Sequence, residues 1–590
     1  MLGRKRDESR QDGLGQDPAP QLPDWAASIG QLPQLLGGRP DHECQEIMRL
    51  CDLFRRAEGD ELQRVLVDYR AAAPRDYYAT LYRDAFLGVR GPLPTDPATQ
   101  VIAYAFDVGS SAVAHDIPHL CGAIIGALLE VRAGVLAEAD DEAAGIQKRQ
   151  LAETFTLVRR IGAECDELLP LRRGSEHVVL AVGRRLLRID LGGLRGGNAA
   201  AAVAASVARA LASNVEGVEA NLLPALTGVD KRVAAALRAG CDAEPQLASA
   251  LRTIESALCV LAISDSDAQG PGPLHEATVF GRGFDRWYGQ MNLVVHDSGT
   301  AGILLDHAVA DGGAAVRLGL AVKEAALRTL AAMPFAAQRD GPSPAELDAP
   351  RAGLRTQLLA AVDVARQAAS SCGVAHRHVS LRERIDRPRV GLARLSVAVQ
   401  LALMRAGAEV LGHETDAYTP VALDDRVGGR VGGVRARPPA TSRLMRGWQA
   451  LTEVPRWDDV TAAVREWPEL FRHAASGRDL YRHLRMMSWM AVRSGRGEWF
   501  FNEPLIREFL GWPPVVSAGT LFLPSPGAAF AFPSPRDGLS LSCLVGRDEQ
   551  GMPASLELFS MGGKDPEAGV EAVGLALGGL LATRHAGAVA

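Results

Sequence analysis

The segment from Met291 to Gly313 constrains the fold of this chain more than any other. Two apolar runs, MNLVVH (291–296) and AGILLD (301–306), flank Asp297-Ser298-Gly299. Short apolar runs joined by such a turn read as paired β-strands. The second run leads into His307, then Asp311-Gly312-Gly313, and a helical pattern covers about 315–332. A strand that passes through a turn into a helix is an α/β connection, and it puts His307 at or just past a strand end. A histidine followed four residues on by Asp-Gly is a compact way to build a general base. The imidazole takes the proton of an attacking hydroxyl or thiol, while a nearby carboxylate orients the ring and stabilises the imidazolium. The glycines allow a sharp turn that leaves the imidazole edge facing a channel. Read alone, the same string also suits a structural histidine beside a turn-capping aspartate. Asp306 reads as a solvated or turn-forming carboxylate, not as the partner of the ring.

The rest of the chain alternates helical and strand patterns. Residues 41–73 carry apolar residues at helical spacing and end in the breaker GPLPTDP (91–97), and 98–150 read as helical again. SEHVVLAVGRRLLRIDL (175–191) reads as a hairpin turning on Gly183, 199–213 as an Ala-rich helix, 250–258 as a helix and 259–265 as a strand. The run QRDGPSPAELDAP (338–350) is the expected domain boundary. Beyond it come helical patterns at 352–370 and 391–408, a Gly/Arg-rich segment at 424–437, helices to about 511, and strands near 518–524 and 539–546. This order makes the chain α/β or α+β.

Composition removes several classes. At 590 residues the expectation is two to four domains. A net charge of -6 gives no basic footprint, so no nucleic-acid partner is expected and any anionic ligand needs a local patch. Cys44, Cys51, Cys121, Cys165, Cys241, Cys259, Cys372 and Cys543 are scattered, with no C-x-x-C pair and no His/Cys set at zinc spacing. No metal is expected, and the cysteines read as free thiols in a reducing compartment. The charged N-terminus has the pattern of neither a secretory signal nor a transit peptide and reads as a disordered tail over 1–20. Val573–Thr583, read as the longest apolar run, falls short of the roughly 20 residues of a membrane span and suits a buried C-terminal helix. A cytoplasmic monomer without a transmembrane segment is expected.

Several strings, in order along the chain, resemble the choline/carnitine O-acyltransferase family. AFLGVRGPLPTDP (85–97) is similar to the family's AYLxxRxPLxxxxNP. FTLVRRIGAECDEL (155–168) is similar to LFxxxRIPGxxxDxL, with Gly162 in place of the proline, and the 175–190 hairpin to SxHIVVLxxGxxY. RGFDRWYGQMNLVVHDSGTAGILLDHAVADG (282–312) is similar to NRWxDKxxQxIVxxDGxxGxxxEHSxxDG, which holds the family's active-site histidine. AVQLALMR (398–405) resembles ALQLAYYR, GRVGGVRA (429–436) resembles GRTExxRS, and LYRHL (480–484) resembles IDRHL.

The resemblance implies an α/β, two-domain, CoA-dependent acyltransferase fold of the chloramphenicol acetyltransferase-like kind, with an active-site tunnel between the domains. Residues 98–345 would form the domain carrying the histidine. Residues 346–590 would bind CoA and acceptor, with the helices of 21–97 packed against them. His307 would be the base and Asp311 its acidic partner. Acyl-CoA would be the co-substrate, with no tightly bound cofactor. Arg382, Arg384, Arg387 and Arg389 stand where the family places lysines for the CoA phosphates, and guanidinium groups present paired donors to such oxygens. The family's SPDA that follows reads Val390-Gly391-Leu392-Ala393 here.

On the acceptor side, Tyr418 and Arg482 match the tyrosine and arginine that bind a carnitine carboxylate in the family, so the pair favours a carboxylated acceptor. The family's third ligand, a threonine, is Val431 here, and a lost hydrogen bond to a charged group costs about 1.5–3 kcal/mol. In VSAGT (516–520), Ser517 keeps the first serine of the family's LSTSQ, and Gly519 takes the place of the second, an oxyanion donor. Loss of such a donor costs roughly 2.7–4 kcal/mol in the transition state unless a backbone amide, Thr520 or water substitutes. Small residues around Ala529 tilt the acyl site towards medium or long chains. The leading expectation is acyl transfer between acyl-CoA and carnitine or a carnitine-like alcohol, within fatty acid metabolism. Two alternatives stay open: the same chemistry on another acceptor, such as a biosynthetic intermediate or a carrier-bound thioester, and a non-catalytic acyl-CoA-binding protein.

Overall fold

The computed structural model describes residues 22–587 apart from 73–76, 98–100, 109–115, 140–145, 172–175, 214–218, 267, 269, 334–340, 382–391, 415, 422–431, 512–514, 523–530, 532, 549 and 551. The tail expected over 1–20 therefore lies outside the described residues. The described helices are α1 (Trp25–Ile29), α2 (Leu32–Leu36), α3 (Asp41–Phe54), α4 (Asp60–Ala72), α5 (Tyr77–Gly88), α6 (Ile117–Ala139), α7 (Ile146–Glu153), α8 (Gly196–Ala212), α9 (Lys231–Asp242), α10 (Pro245–Glu255), α11 (Pro271–Phe280) and α12 (Gly312–Ala332). They continue with α13 (Ala352–Ser370), α14 (Leu392–Leu411), α15 (Pro439–Gly447), α16 (Trp457–Ala475), α17 (Leu480–Ser494), α18 (Glu498–Asn502), α19 (Pro504–Leu510) and α20 (Pro566–Gly587).

A first mixed sheet is built from β1 (Val101–Asp107), β4 (His177–Val182), β5 (Arg185–Asp190), β6 (Val260–Ser264), β7 (Asn292–His296), β8 (Thr300–Asp306) and β9 (Ala345–Glu346), while β2 (Leu157–Arg160) pairs separately with β3 (Glu167–Pro170). Its order is β1-β8-β7-β6-β4-β5-β9. Gly183 (φ 58°) and Gly299 (φ 81°) supply the left-handed backbone in the β4–β5 and β7–β8 turns. Gly302 of β8 abuts Thr278 of α11, whereas Tyr104 of β1, one register position on, packs on Gly319 of α12. Successive strand residues point to opposite faces, so α11 and α12 sandwich this sheet.

A second sheet comprises β10 (Val374–Ser380), β11 (Ala417–Val421), β12 (Gly432–Ala436), β13 (Val516–Phe522), β14 (Pro533–Ser534), β15 (Leu539–Arg547) and β16 (Pro553–Gly562), in the order β10-β16-β15-β13-β11-β12 with β14 beside β16. Its two faces belong to different cores. Val516, Leu541, Cys543, Leu556 and Leu558 pack into one core with α14, α20 and the N-terminal helices. Leu521, Leu544, Phe559 and Met561, on the alternate positions, join the core around the first sheet. The expected two-domain α/β architecture is what the structure shows. Ala308, the residue after His307, sits in the second core, whereas β8 that leads to it lies in the first. His307 therefore stands where the two cores meet.

Two readings of the sequence are corrected. Residues 101–107, taken as helical, form β1, because Ala103, Tyr104, Ala105 and Phe106 are all buried and no alternation marks the strand. The longest apolar element is α6, not the C-terminal run. Ile117–Glu138, 22 residues, holds an 18-residue window with a mean hydropathy of 1.8, enough by length and composition to cross a membrane, yet it packs against α8 and α12 over the first sheet.

His483 is one of the polar anchors of the N-terminal helices. His483 of α17 hydrogen-bonds Ser28 Oγ through Nδ1 (2.6 Å) and donates from Nε2 to Gln63 Oε1 (2.6 Å). These bonds suit a neutral ring, and burial lowers its pKa to about 4. The folded value lies below the unfolded value near 6.5, so below pH 6.5 the unfolded chain binds a proton that the native state refuses. Stability is expected to fall from pH 6.5 to pH 4 by on the order of 3 kcal/mol from this group. Urea unfolding at pH 6.5 and 4.5 checks this: His483→Gln should flatten the difference, and an unchanged slope would refute it.

Candidate active site

His307 rides on a turn that its neighbour Asp306 closes. The carbonyl of Asp306 accepts the N–H groups of Val309 (3.0 Å) and Ala310 (3.2 Å), and its carboxylate Oδ1 accepts that of Ala308 (2.8 Å). The imidazole is half-buried and lies against the ring of Phe86 (centroids 5.1 Å apart, planes 29° apart), with Tyr82 at 6.3 Å. Both aromatic residues belong to α5. Asp306 is not solvated. It is buried, and its Oδ1 also accepts Arg159 Nη1 at 3.0 Å, because a carboxylate held in this seam requires a cation.

Asp311 is the N-cap of α12, and its backbone carbonyl starts that helix by accepting from Ala314 (2.9 Å) and Ala315 (3.2 Å). Its side chain makes no cap bond. Oδ2 instead accepts Gln150 Nε2 at 3.1 Å, and the Asp311 N–H donates to Gln150 Oε1 at 3.3 Å. Gln150, from α7, was not singled out in the sequence. A glutamine matching a backbone amide and a carboxylate at once leaves no mark in the spacing of its own helix.

Tyr418 and Arg482 lie on the same side of this seam. Tyr418 on β11 is buried, its ring 5.6 Å from Tyr481. Burial and the neighbouring Tyr82, Tyr481 and Tyr78 hydroxyls push its pKa well above the ordinary tyrosine value, so it remains a hydrogen-bond donor. Arg482 on α17 is 1% exposed, and its guanidinium stands 3.6 Å from the centroid of the Tyr78 ring. Asp479 caps α17 by accepting the Arg482 N–H at 2.7 Å, and burial raises its carboxyl to about 6. α5 thus carries Tyr78 under Arg482 and Tyr82 and Phe86 beside His307. Phe86 falls inside the family-like string AFLG, the one signal that could have found this helix's role.

Ser517 and Gly519 occupy alternate positions on β13, on the sheet face towards the first domain. Ser517 is buried and donates from Oγ to Ser540 Oγ (3.0 Å), and Gly519 stands in register with Ser542 of β15. Arg382, Arg384, Arg387, Arg389, Val431 and Ala529 lie outside the described residues. Among the described residues no cluster of His, Cys, Asp or Glu could hold a metal ion.

The model of the choline/carnitine O-acyltransferase family matches residues 28–522, and the chain belongs to that family. It is an acyltransferase. No curated protein sequence matches it. Similar solved structures include the starter condensation domain of rhizomide synthetase RzmA (12% identity, TM-score 0.31, 83% of this chain and 91% of that one). Others are the TRI3 trichothecene 15-O-acetyltransferase of Fusarium sporotrichioides (10%, 0.38, 86% and 94%) and the wax ester synthase/diacylglycerol acyltransferase of Marinobacter aquaeolei VT8 (13%, 0.29, 54% and 78%). Likeness at this level carries nothing about the acceptor.

Gln150→Leu removes both bonds to Asp311 and is expected to cost about 1–3 kcal/mol of stability. Denaturant midpoints of the two proteins measure it, and equal midpoints would mean that the pair contributes nothing.

Proposed function

We propose that this protein moves an acyl group between acyl-CoA and the hydroxyl of carnitine or a carnitine-like small alcohol, directly and with His307 as general base. The observation that carries the reading is the line of contacts from His307 through Tyr82 and Tyr78 to the buried guanidinium of Arg482. A base at one end and a buried cation at the other suit an alcohol that also bears a carboxylate.

In the forward direction the imidazole takes the hydroxyl proton as the oxygen attacks the thioester carbonyl. The tetrahedral intermediate collapses by breaking the C–S bond, and the departing thiolate takes the proton from the imidazolium to give free CoA. The reverse reaction uses the same base on the CoA thiol. Asp311 stabilises the imidazolium, and Arg382, Arg384, Arg387 and Arg389 hold the CoA phosphates. Tyr418, a donor at all physiological pH values, and Ser517 line the acceptor and reaction side. Enclosure between the two domains keeps water from the thioester.

A second reading has specific support. Val431 and Gly519 stand where the family has hydroxyl donors, which favours a different acceptor, such as a biosynthetic intermediate or a carrier-bound thioester, handled by the same base.

Thiol release from acyl-CoAs of several chain lengths, with carnitine, choline or no acceptor, tests both. Carnitine-dependent release that His307→Ala lowers by at least 10³-fold supports the first reading. His307-dependent release that neither carnitine nor choline raises above the acceptor-free rate, which is hydrolysis by water, points to the second, and CoA binding with no His307-dependent release of any kind sinks catalysis. Arg482→Gln is expected to raise the KM for a carboxylated acceptor roughly 10–100-fold, about 1.4–3 kcal/mol, with little change in the KM for acyl-CoA. Equal KM values for the acceptor in variant and parent would remove the carboxylate from the proposal.

A further inference from the structure

Two buried cations and the half-buried Arg90 gather on one carboxylate beneath the catalytic turn. Asp166 Oδ2 accepts Arg159 Nε at 2.8 Å and lies 3.1 Å from Lys231 Nζ, and Oδ1 accepts Arg90 Nη2 at 2.8 Å. The side chains of Asp166, Arg159 and Lys231 are fully buried. Each cation also captures a backbone carbonyl at the end of α5. Arg159 Nη2 donates to Phe86 O (2.8 Å), Arg90 Nη2 to Leu87 O, and Lys231 Nζ to Val89 O (2.8 Å). The last carbonyls of a helix have no partner within it and carry the negative end of its dipole, so cations are the groups that suit this place. Burial and the nearby Arg159 lower Lys231 to about 8, and below that pH it remains charged.

We infer that Arg159 is the positioning residue of the catalytic histidine. Its planar guanidinium joins the two structures that define where the imidazole lies. Nη1 holds Asp306 Oδ1, the same oxygen that accepts the Ala308 N–H, so the backbone on both sides of His307 is tied to it. Nη2 holds the carbonyl of Phe86, whose ring lies along the imidazole face. Nε anchors the group to Asp166. Only a rigid three-sided donor fulfils all three contacts, so a lysine, with the same charge on a single nitrogen, is not a substitute. The bond to Phe86 O also secures the helix that places Tyr78 under Arg482, linking base and acceptor site through one element.

The inference rests on His307 as the base, and two readouts separate the failures. In the full-length protein, Arg159→Lys is expected to lower kcat at least tenfold while the KM for acyl-CoA stays within twofold. Phe86→Leu keeps the carbonyl and every bond of the cluster but removes the ring, and is expected to change kcat in the same way. NMR titration of the 13 histidines, with His307 assigned from His307→Ala, reads the imidazole independently of turnover. Its midpoint is expected to move in both variants even if His307 proves not to be the base. A folded Arg159→Lys protein with parental kcat and an unmoved His307 titration overturns the inference. So does a loss of kcat that follows only the unfolded fraction.

Discussion

The carboxylate of Asp166 sits at the junction on which the site depends. It neutralises part of the charge of Arg90, Arg159 and Lys231, and through them it holds three carbonyls at the end of α5. Removing one partner of such a buried pair costs about 3–5 kcal/mol, since a desolvated charge is left behind. The cluster is therefore a fixed point rather than an adjustable one. α5 comes from the N-terminal helices packed on the second core, whereas Arg159 and Asp306 come from the first domain. A single ionic knot thus sets the spacing of the two halves at His307.

From that knot the chemistry divides along α5. At its C-terminal end the Phe86 ring backs the imidazole. One turn earlier Tyr82 lies near His307 and against Tyr78, and at the N-terminal end Tyr78 lies under Arg482. Tyrosine suits such a lining, because it offers an apolar face with one polar tip. The Arg482 guanidinium is buried to 1%, with the Tyr78 ring against it and the Asp479 carboxylate among its neighbours. The second sheet closes the seam from the other side, with Ser517 and Gly519 on the face turned to the first domain.

Much of this was legible in the residues. The β7–β8 hairpin and the strand-end place of His307 follow from two apolar runs around Asp-Ser-Gly. The Gly183 hairpin and the C-terminal helix α20 were likewise readable, because local turn chemistry and periodicity carry them. β1 and β16 were not read as strands, because burial on both faces removes alternation. β10 was missed for a different reason: it carries His376, Arg377 and His378 in a strand that otherwise offers few apolar positions. Arg482 and Tyr418 were found through motif resemblance, yet nothing local showed that Tyr78 lies beneath the arginine.

The sequence by itself determined the string from His307 to Gly313, its setting at a strand end, and the family to which the chain belongs, since these depend on residues close together in the chain. Only the tertiary structure decided the partners of those residues. Asp306, read as a solvated or turn-forming carboxylate, does form the turn but also meets Arg159 from 147 positions away, and Asp311 meets Gln150 from 161. Such pairings come from how two sheets and their helices pack. The free energy that selects them is the need to satisfy every buried charge, and no local pattern records it.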